Sequence, residues 1–255
     1  MKQIAEYPFG LHKRKDNFAS RDIMRIAVLE DDTAQLSFVC ETLTAEGHIC
    51  VPFSGGRSLV KQLRRETFDL LVLDWNVPDM SGAEILLWVR NSLPEHPLVL
   101  FMTSRTQEVD MTSMLNAGAD DYVVKPISAA LLIARVGSLL RRSYQTTATT
   151  SREMFNDFEF DSSAKEVSVN GNVVCLTQKE FELGLLLFQH LGRPLSRAHI
   201  LDVIWKQAID VPSRTMDTHI SMLRSKLGLR PENGYKLTPI YGYGYRLEQI
   251  KKGRA

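Results

Sequence analysis

Long apolar runs are what this 255-residue chain lacks first. None approaches the roughly 20 residues that span a bilayer. Compact ones such as Leu183–Phe188 have the length of one buried helix face. No membrane partner is expected. The N-terminus, MKQIAEYPFGLHKRKD, has no apolar middle of the kind a secretory signal carries, which points to a cytoplasmic protein. Cysteine is scarce. Cys40, Cys50 and Cys175 are odd in number and form no CxxC pair, so buried free thiols in a reducing compartment are expected. The 6 histidines are scattered, with no HExxH and no Cys/His cluster, which gives zinc no obvious ligand set. An excess of one charge sign is missing too, the net being +1.

That near-neutrality conceals a division. Residues 1–21 hold 5 Lys+Arg against 2 Asp+Glu, residues 22–150 hold 11 against 16, and residues 151–255 hold 15 against 12. An acidic middle precedes a mildly basic end, a split that suits a sensor joined to a nucleic-acid binder. Two breaks divide the chain. Residues 1–22 are charged and aperiodic and read as a flexible extension. SYQTTATTSR, residues 143–152, is rich in Ser and Thr and reads as a solvated linker. Two domains are expected, 23–142 and 153–250.

In the first, apolar runs at Arg25–Leu29, His48–Pro52, Leu70–Leu73, Leu98–Met102 and Tyr122–Val124 read as strands. Helical patterns follow each, at Ala34–Glu46, Arg57–Glu66, Ala83–Ser92, Glu108–Ala117 and Ala129–Arg142. Five βα units in succession predict a doubly wound α/β fold with a five-stranded parallel sheet. Burial on both faces explains the unbroken apolar strands. Ligands of such sheets lie beyond the carboxyl ends of the strands. The second domain reads as α+β. Short strands are expected at Phe158–Phe160, Glu166–Val169 and Val173–Leu176, with an Asn170-Gly171 hairpin turn. A capping box at Thr177–Glu180 then opens helices at Gln178–Leu191, Arg197–Trp205 and Arg214–Leu227. The glycines of YKLTPIYGYGYRL suggest a last hairpin.

The strand ends carry the chemistry. The first ends at Glu30-Asp31-Asp32 and the third at Asp74, in LLVLDWNVPDMSG. Converging on one sheet edge, these carboxylates would repel one another. Mg²⁺, which takes oxygen ligands and keeps several waters, would remove the conflict. The fourth strand ends in the hydroxyls of Thr103-Ser104, and the fifth at Lys125-Pro126. A cation, an ammonium and a hydroxyl around one carboxylate are what phosphoryl transfer asks of a protein.

In these residues the segment from Ile23 to Arg142 resembles the receiver domain of response regulators, a flavodoxin-like fold. The resemblance implies that Asp74 accepts a phosphoryl group from a histidine kinase. It implies Mg²⁺ held by Asp31, Asp74 and the carbonyl of Asn76, with Glu30 acting through water. Thr103 and Lys125 would contact the phosphoryl oxygens, Tyr122 would be the aromatic switch, and the Lys125-Pro126 bond would commonly be cis. Trp75 either shapes access to the site or simply packs.

The helix from Arg214 has an apolar stripe at Met216, Ile220, Leu223 and Leu227 and a polar opposite face, which fits a major groove. With LTQKEFELGLLL, LDVIW, SRTMDTHISMLRSKL and GYGYRL in order, Phe155 to Leu247 resembles the winged helix-turn-helix effector of OmpR/PhoB-type regulators. The resemblance implies a recognition helix at Arg214–Leu227, a wing at Tyr235–Leu247 and a loop at Lys206–Ser213 that can touch RNA polymerase. Arg214, Thr215, His219 and Arg224 are then expected on phosphates, with Thr218 on the same exposed face. Ser221 and Met222 fall where bases are read.

Departures from the pattern carry expectations of their own. Ser221 and Met222 stand where many relatives have Arg or Lys, and Tyr241 where the wing often has Arg. Fewer cations predict a shallower salt dependence, and Met222 favours a thymine methyl. The dimer face implied by the resemblance keeps Asp120, Asp121 and Arg135, but carries Met111 and Ser113 at usual basic positions and Leu131 at a usual acid. A homodimer with more apolar association is expected.

The leading reading is a phosphorylation-controlled regulator whose dimer engages repeated half-sites of double-stranded DNA, and not an enzyme. The runner-up binds DNA as a dimer without phosphate. An aspartyl-phosphate phosphatase would want a carboxylate where Asn76 stands. A flavodoxin-like redox protein would want a phosphate loop after the first strand.

Overall fold

The computed structural model describes residues 23–93, 95–104, 116–143, 152–206 and 213–250. The expected helix at Glu108–Ala117, which carries Met111 and Ser113, lies almost wholly outside them. So do the extension 1–22, most of the linker and residues 207–212 of the loop before the recognition helix.

Strands β1 (Arg25–Leu29), β2 (Ile49–Phe53), β3 (Leu70–Asp74), β4 (Leu98–Thr103) and β5 (Asp121–Val124) form one parallel sheet in the order β2-β1-β3-β4-β5. Helices α1 (Thr33–Ala45), α2 (Gly56–Leu63), α3 (Gly82–Ser92) and α4 (Ala129–Ser143) connect or follow them. Period-2 alternation explains how one sheet feeds two cores. Ala27, Leu29, Leu71, Leu73, Val99 and Phe101 pack towards α2 and α3. Their chain neighbours Ile26, Val28, Leu70, Val72, Leu100 and Met102 pack towards α1 and α4. Capping starts the helices where the sequence predicts. Asp32 Oδ1 accepts from the amides of Ala34 and Gln35, each at 2.9 Å, and Ser81 with Glu84 closes a capping box on α3.

The second unit begins one element earlier than expected. A strand, β6 (Arg152–Phe155), joins β7 (Phe158–Asp161), β8 (Glu166–Val169) and β9 (Asn172–Val174) in an antiparallel sheet. The short, mostly polar sequence of β6 hides it; it pairs with β7 from Arg152 opposite Asp161 to Phe155 opposite Phe158, and Phe155 packs on Phe160 and Phe188. Asn170 and Gly171, at φ 50° and 78°, form the hairpin turn between β8 and β9. The capping box at Thr177 and Glu180 opens α5 (Gln178–Gln189). A two-residue strand, β10 (Leu195–Ser196), precedes α6 (Arg197–Trp205) and α7 (Ser213–Lys226). After a short 3₁₀ turn, β11 (Tyr235–Ile240) and β12 (Gly244–Gln249) make the last hairpin, with β12 between β10 and β11. Phe160, Phe181, Phe188, Leu223 and Leu247 centre this unit's core. The thiols differ from expectation, because Cys175 is exposed and Cys40 and Cys50 are only half-buried.

Candidate functional site

The carboxyl ends of β1 and β3 bring Glu30, Asp31 and Asp74 together, with one oxygen of each within 4.8 Å of the others. Glu30 and Asp74 are 1% and 7% exposed, whereas Asp31 faces solvent. Lys125 follows β5 and reaches across the sheet. Its Nζ lies 2.6 Å from Glu30 Oε2 and 3.0 Å from Asp74 Oδ2. Burial raises the Glu30 carboxyl above its ordinary value, offset in part by its bond from Lys125, and Asp74 raises it further. Burial works against the Lys125 charge, but its bonds to Glu30 and Asp74 hold the ammonium above its usual value. Thr103 is buried at the end of β4, and its carbonyl accepts from Lys125 N at 2.8 Å. Lys125-Pro126 is cis. Tyr122 is half-buried beside the Phe101 core, and Asn76 is exposed two residues beyond Asp74.

Three carboxylates gather around a site that holds one ammonium, bound to Glu30 and Asp74, with exposed Asp31 at its outer wall. Hard oxygen donors in that excess fit a divalent cation. The loop after β3 holds the site in shape. A Cβ on Gly82 would come within 2.4 Å of Asp74 O, so only glycine lets α3 start against the strand end. Asp79, at φ 72°, accepts from Gly56 N at 2.8 Å and Arg57 N at 3.3 Å. It supplies the cap that Gly55 lacks at the start of α2. In the sequence Asp79 shows only as part of the Pro-Asp turn signal after the strand, with nothing to mark its capping role. Trp75 packs on Phe101, ring centres 5.2 Å apart, in keeping with the packing alternative.

On the second unit, Arg214, Thr218 and Ser221 are exposed along α7, Met222 is 51% exposed and Tyr241 stands fully out at the hairpin tip. Thr215 and His219 are half-buried, His219 against Trp205 at 5.5 Å. Arg224 Nη2 donates to Leu237 O at 2.9 Å and so ties α7 to the hairpin. Met216, Ile220, Leu223 and Leu227 are buried, as their spacing predicts. Of the remaining expected residues, Arg135 Nη1 pairs with Asp121 Oδ2 at 3.2 Å, and Leu131 is 41% exposed. Asp120 is exposed, but its carboxylate is engaged within the fold, accepting from Arg90 at 2.9 Å and from Val99 N at 2.8 Å. Sequence spacing could not show this, because Arg90 lies on α3.

The response regulator receiver domain model matches residues 26–137, and the model described as transcriptional regulatory protein, C terminal, matches residues 171–247. Transcriptional regulatory protein CreB of Escherichia coli (strain K12) is 36% identical over 229 residues, covering 88% of this chain and 97% of that protein. Sensory transduction protein RegX3 of Mycobacterium tuberculosis (strain ATCC 25618 / H37Rv) is 33% identical over 227 residues, covering 88% and 98%. Among solved structures, the response regulator DrrB of Thermotoga maritima, an OmpR/PhoB homologue, is 30% identical with a TM-score of 0.44, covering 89% of this chain and 99% of that one.

Proposed function

The chain belongs to the two-component response regulators of the OmpR/PhoB type, which act in transcription regulation, and on that premise we propose that Asp74 is its phosphoacceptor. The observation that carries the proposal is the buried Asp74 carboxylate paired with Lys125 beside two further acids. An Asp74 oxygen attacks phosphorus as the bond to a phosphohistidine nitrogen of a histidine kinase breaks. The products are an aspartyl phosphate and a free imidazole. One phosphoryl group per chain makes this a switch rather than turnover.

Glu30, Asp31, Asp74 and the Asn76 carbonyl would hold Mg²⁺, which neutralises the charge gathering between the acids and the incoming phosphate. Lys125 already bridges Glu30 and Asp74 and is placed to follow the phosphoryl oxygens. Thr103 supplies the hydroxyl, and Tyr122 turns on its movement. The phosphate-independent alternative is not favoured, since the full acid, ammonium and hydroxyl set is present.

In this reading, residues 23–142 form the receiver, and the reader follows a short linker. Arg214, Thr215, Thr218, His219 and Arg224 meet phosphates of double-stranded DNA, while Ser221, Met222 and Tyr241 meet bases and groove. Asp121, Leu131 and Arg135 belong to the homodimer face, together with Asp120 and with Met111, which lies outside the described residues. RNA polymerase would be met by the loop ahead of α7. Among the described residues no helix is long and apolar enough to cross a membrane; in this reading the protein acts on DNA in the cytoplasm.

The test is DNA selection with wild type and Asp74→Asn, each with and without a phosphoryl donor or beryllofluoride. Wild type is expected to enrich one site more strongly with donor and to take up one phosphoryl group. Asp74→Asn is expected to show neither response. Equal phosphoryl uptake by the variant would refute the assignment.

A further inference from the structure

The three thiols differ in setting. Cys175 is exposed in the second unit, whereas Cys40 and Cys50 face each other from α1 and β2. Two periodicities put them there. Leu36, Val39, Cys40 and Leu43 share the inner face of α1 and pack on one core. Cys50 pairs in register with Ile26 of β1, a buried member of that same core, so its side chain points to the α1 face of the sheet. The turn between helix and strand is short and tied along its length. Gly47 N donates to Thr44 O at 2.9 Å, His48 N to Leu43 O at 3.2 Å and Ile49 N to Met24 O at 2.9 Å. Gly47, at φ 90°, lets the chain reverse there.

The two side chains are in hydrogen-bond contact, and Thr44, one helical turn beyond Cys40, bonds the Cys50 thiol as well. The contact makes the thiols unequal. The bond from Cys50 holds the Cys40 thiol below its ordinary value, against its own burial and the charge of Glu41. The same bond and burial push the Cys50 thiol up. Cys40 is therefore the one that carries thiolate character, and a thiolate is the nucleophile in cysteine chemistry. Both thiols are half-buried rather than sealed, and β2 is the edge strand of its sheet.

Neither thiol belongs to the acid pocket. Cys40 lies two turns into α1 from the Asp32 cap, and Cys50 is near the start of β2. Glu30, Asp31 and Asp74 stand at the opposite, carboxyl ends of the strands.

We propose that Cys40 and Cys50 form a redox modification site, closed to a disulfide by a hydroperoxide. The Cys40 thiolate attacks one peroxide oxygen. The O–O bond breaks, the sulfur is oxidised to a sulfenic acid, and the other oxygen takes up a proton and leaves as water or an alcohol. The Cys50 sulfur then attacks the Cys40 sulfur. The S–S bond forms, the S–O bond breaks, and hydroxide leaves with the Cys50 proton as water. A reducing dithiol restores both thiols by exchange. Disulfides inside cells are mostly of this transient kind. The bridge staples α1 to the edge strand without involving Asp74, so the proposal stands apart from the phosphoacceptor reading.

The test treats the reduced full chain with equimolar hydrogen peroxide, blocks remaining thiols with iodoacetamide and maps the products by mass spectrometry. A Cys40–Cys50 bridge that dithiothreitol reverses is expected, with Cys175 alkylated. Cys175→Ser is expected to form the same bridge. In Cys50→Ser the oxidised Cys40 is expected to persist as a sulfenic acid that dimedone captures. In Cys40→Ser, Cys50 is expected to stay alkylatable, and peroxide consumption to fall on the order of 10-fold. Free Cys40 and Cys50 beside an oxidised Cys175, or a bridge that includes Cys175, overturns the proposal. So does a Cys40–Cys50 bridge that forms only in urea. Dimedone capture at Cys50 in Cys40→Ser overturns the order of attack. If a variant does not fold, the wild-type map decides alone.

Discussion

The two edges of the receiver sheet hold similar residues and do opposite things. At the strand ends, Glu30 and Asp74 share Lys125, and Asp31 beside them faces water. At the strand starts, Asp69 is enclosed by Arg193, His190, His199 and the Arg25 amide. Burial alone would raise the Asp69 carboxyl, but those neighbours hold it below the usual carboxylate range. Burial also drives His190 down to about 3, and it lowers His199 in the same way. A surplus of acid beside solvent has the donor set that the proposed Mg²⁺ and phosphoryl group would need. A matched, dry set of charges is already satisfied within the protein and works as adhesive. Local charge balance, rather than residue type, separates the edge proposed to react from the structural one.

The strongest challenge to that contrast is Asp69→Ala. Removing one partner of a buried ionic cluster costs about 3–5 kcal/mol, so urea unfolding should shift strongly. Asp31→Ala, at the exposed acid of the other edge, should leave the unfolding midpoint near wild type. Equal losses would erase the distinction between the edges.

Next in size is Gly82→Ala. A Cβ 2.4 Å from Asp74 O must displace α3 or the strand end, and overpacking of this kind costs about 1–3 kcal/mol. Thermal unfolding should record the loss, and phosphoryl uptake at Asp74 should slow because its carboxylate is displaced. Uptake at the wild-type rate would show that the loop does not position the acid.

The smallest effect is a pH slope. A histidine whose pKa is lower folded than unfolded binds more protons when unfolded, so its stabilisation is lost as pH falls below the unfolded value. For His190 the window runs from 6.5 down to about 3. The loss is about 1.4 kcal/mol per pH unit for each such group at most. Asp69, also lowered, adds a loss of the same sign at more acid pH, below 3.8. Urea titrations from pH 7 to pH 4 should show stability falling with acid, and His190→Gln should flatten the slope. A flat wild-type profile would mean that the strand-start edge does not exclude the charged imidazoles.

Much of this was legible in the chain. Unbroken apolar runs marked the strands because both sheet faces are covered, and the acids at their ends stood out against those runs. The stripe Met216, Ile220, Leu223 and Leu227 located the buried face of α7 in the same way. Less legible were β6, whose short, mostly polar run gives little periodic signal, and Asp120, whose carboxylate is held by Arg90 thirty residues earlier. Asp79 sat in plain view as a loop residue, but its partner amides on α2 lie more than twenty positions away.

By itself, then, the sequence determined the two folds and which acids gather at one sheet edge, because periodicity, caps and strand-end residues are local properties that need no partner to be read. Only the tertiary structure decided that Arg25, Thr67 and Asp69 meet Asp202, Ser196 and Arg193. These pairs are separated by more than a hundred residues, and each is an ordinary polar side chain until folding removes the water around it.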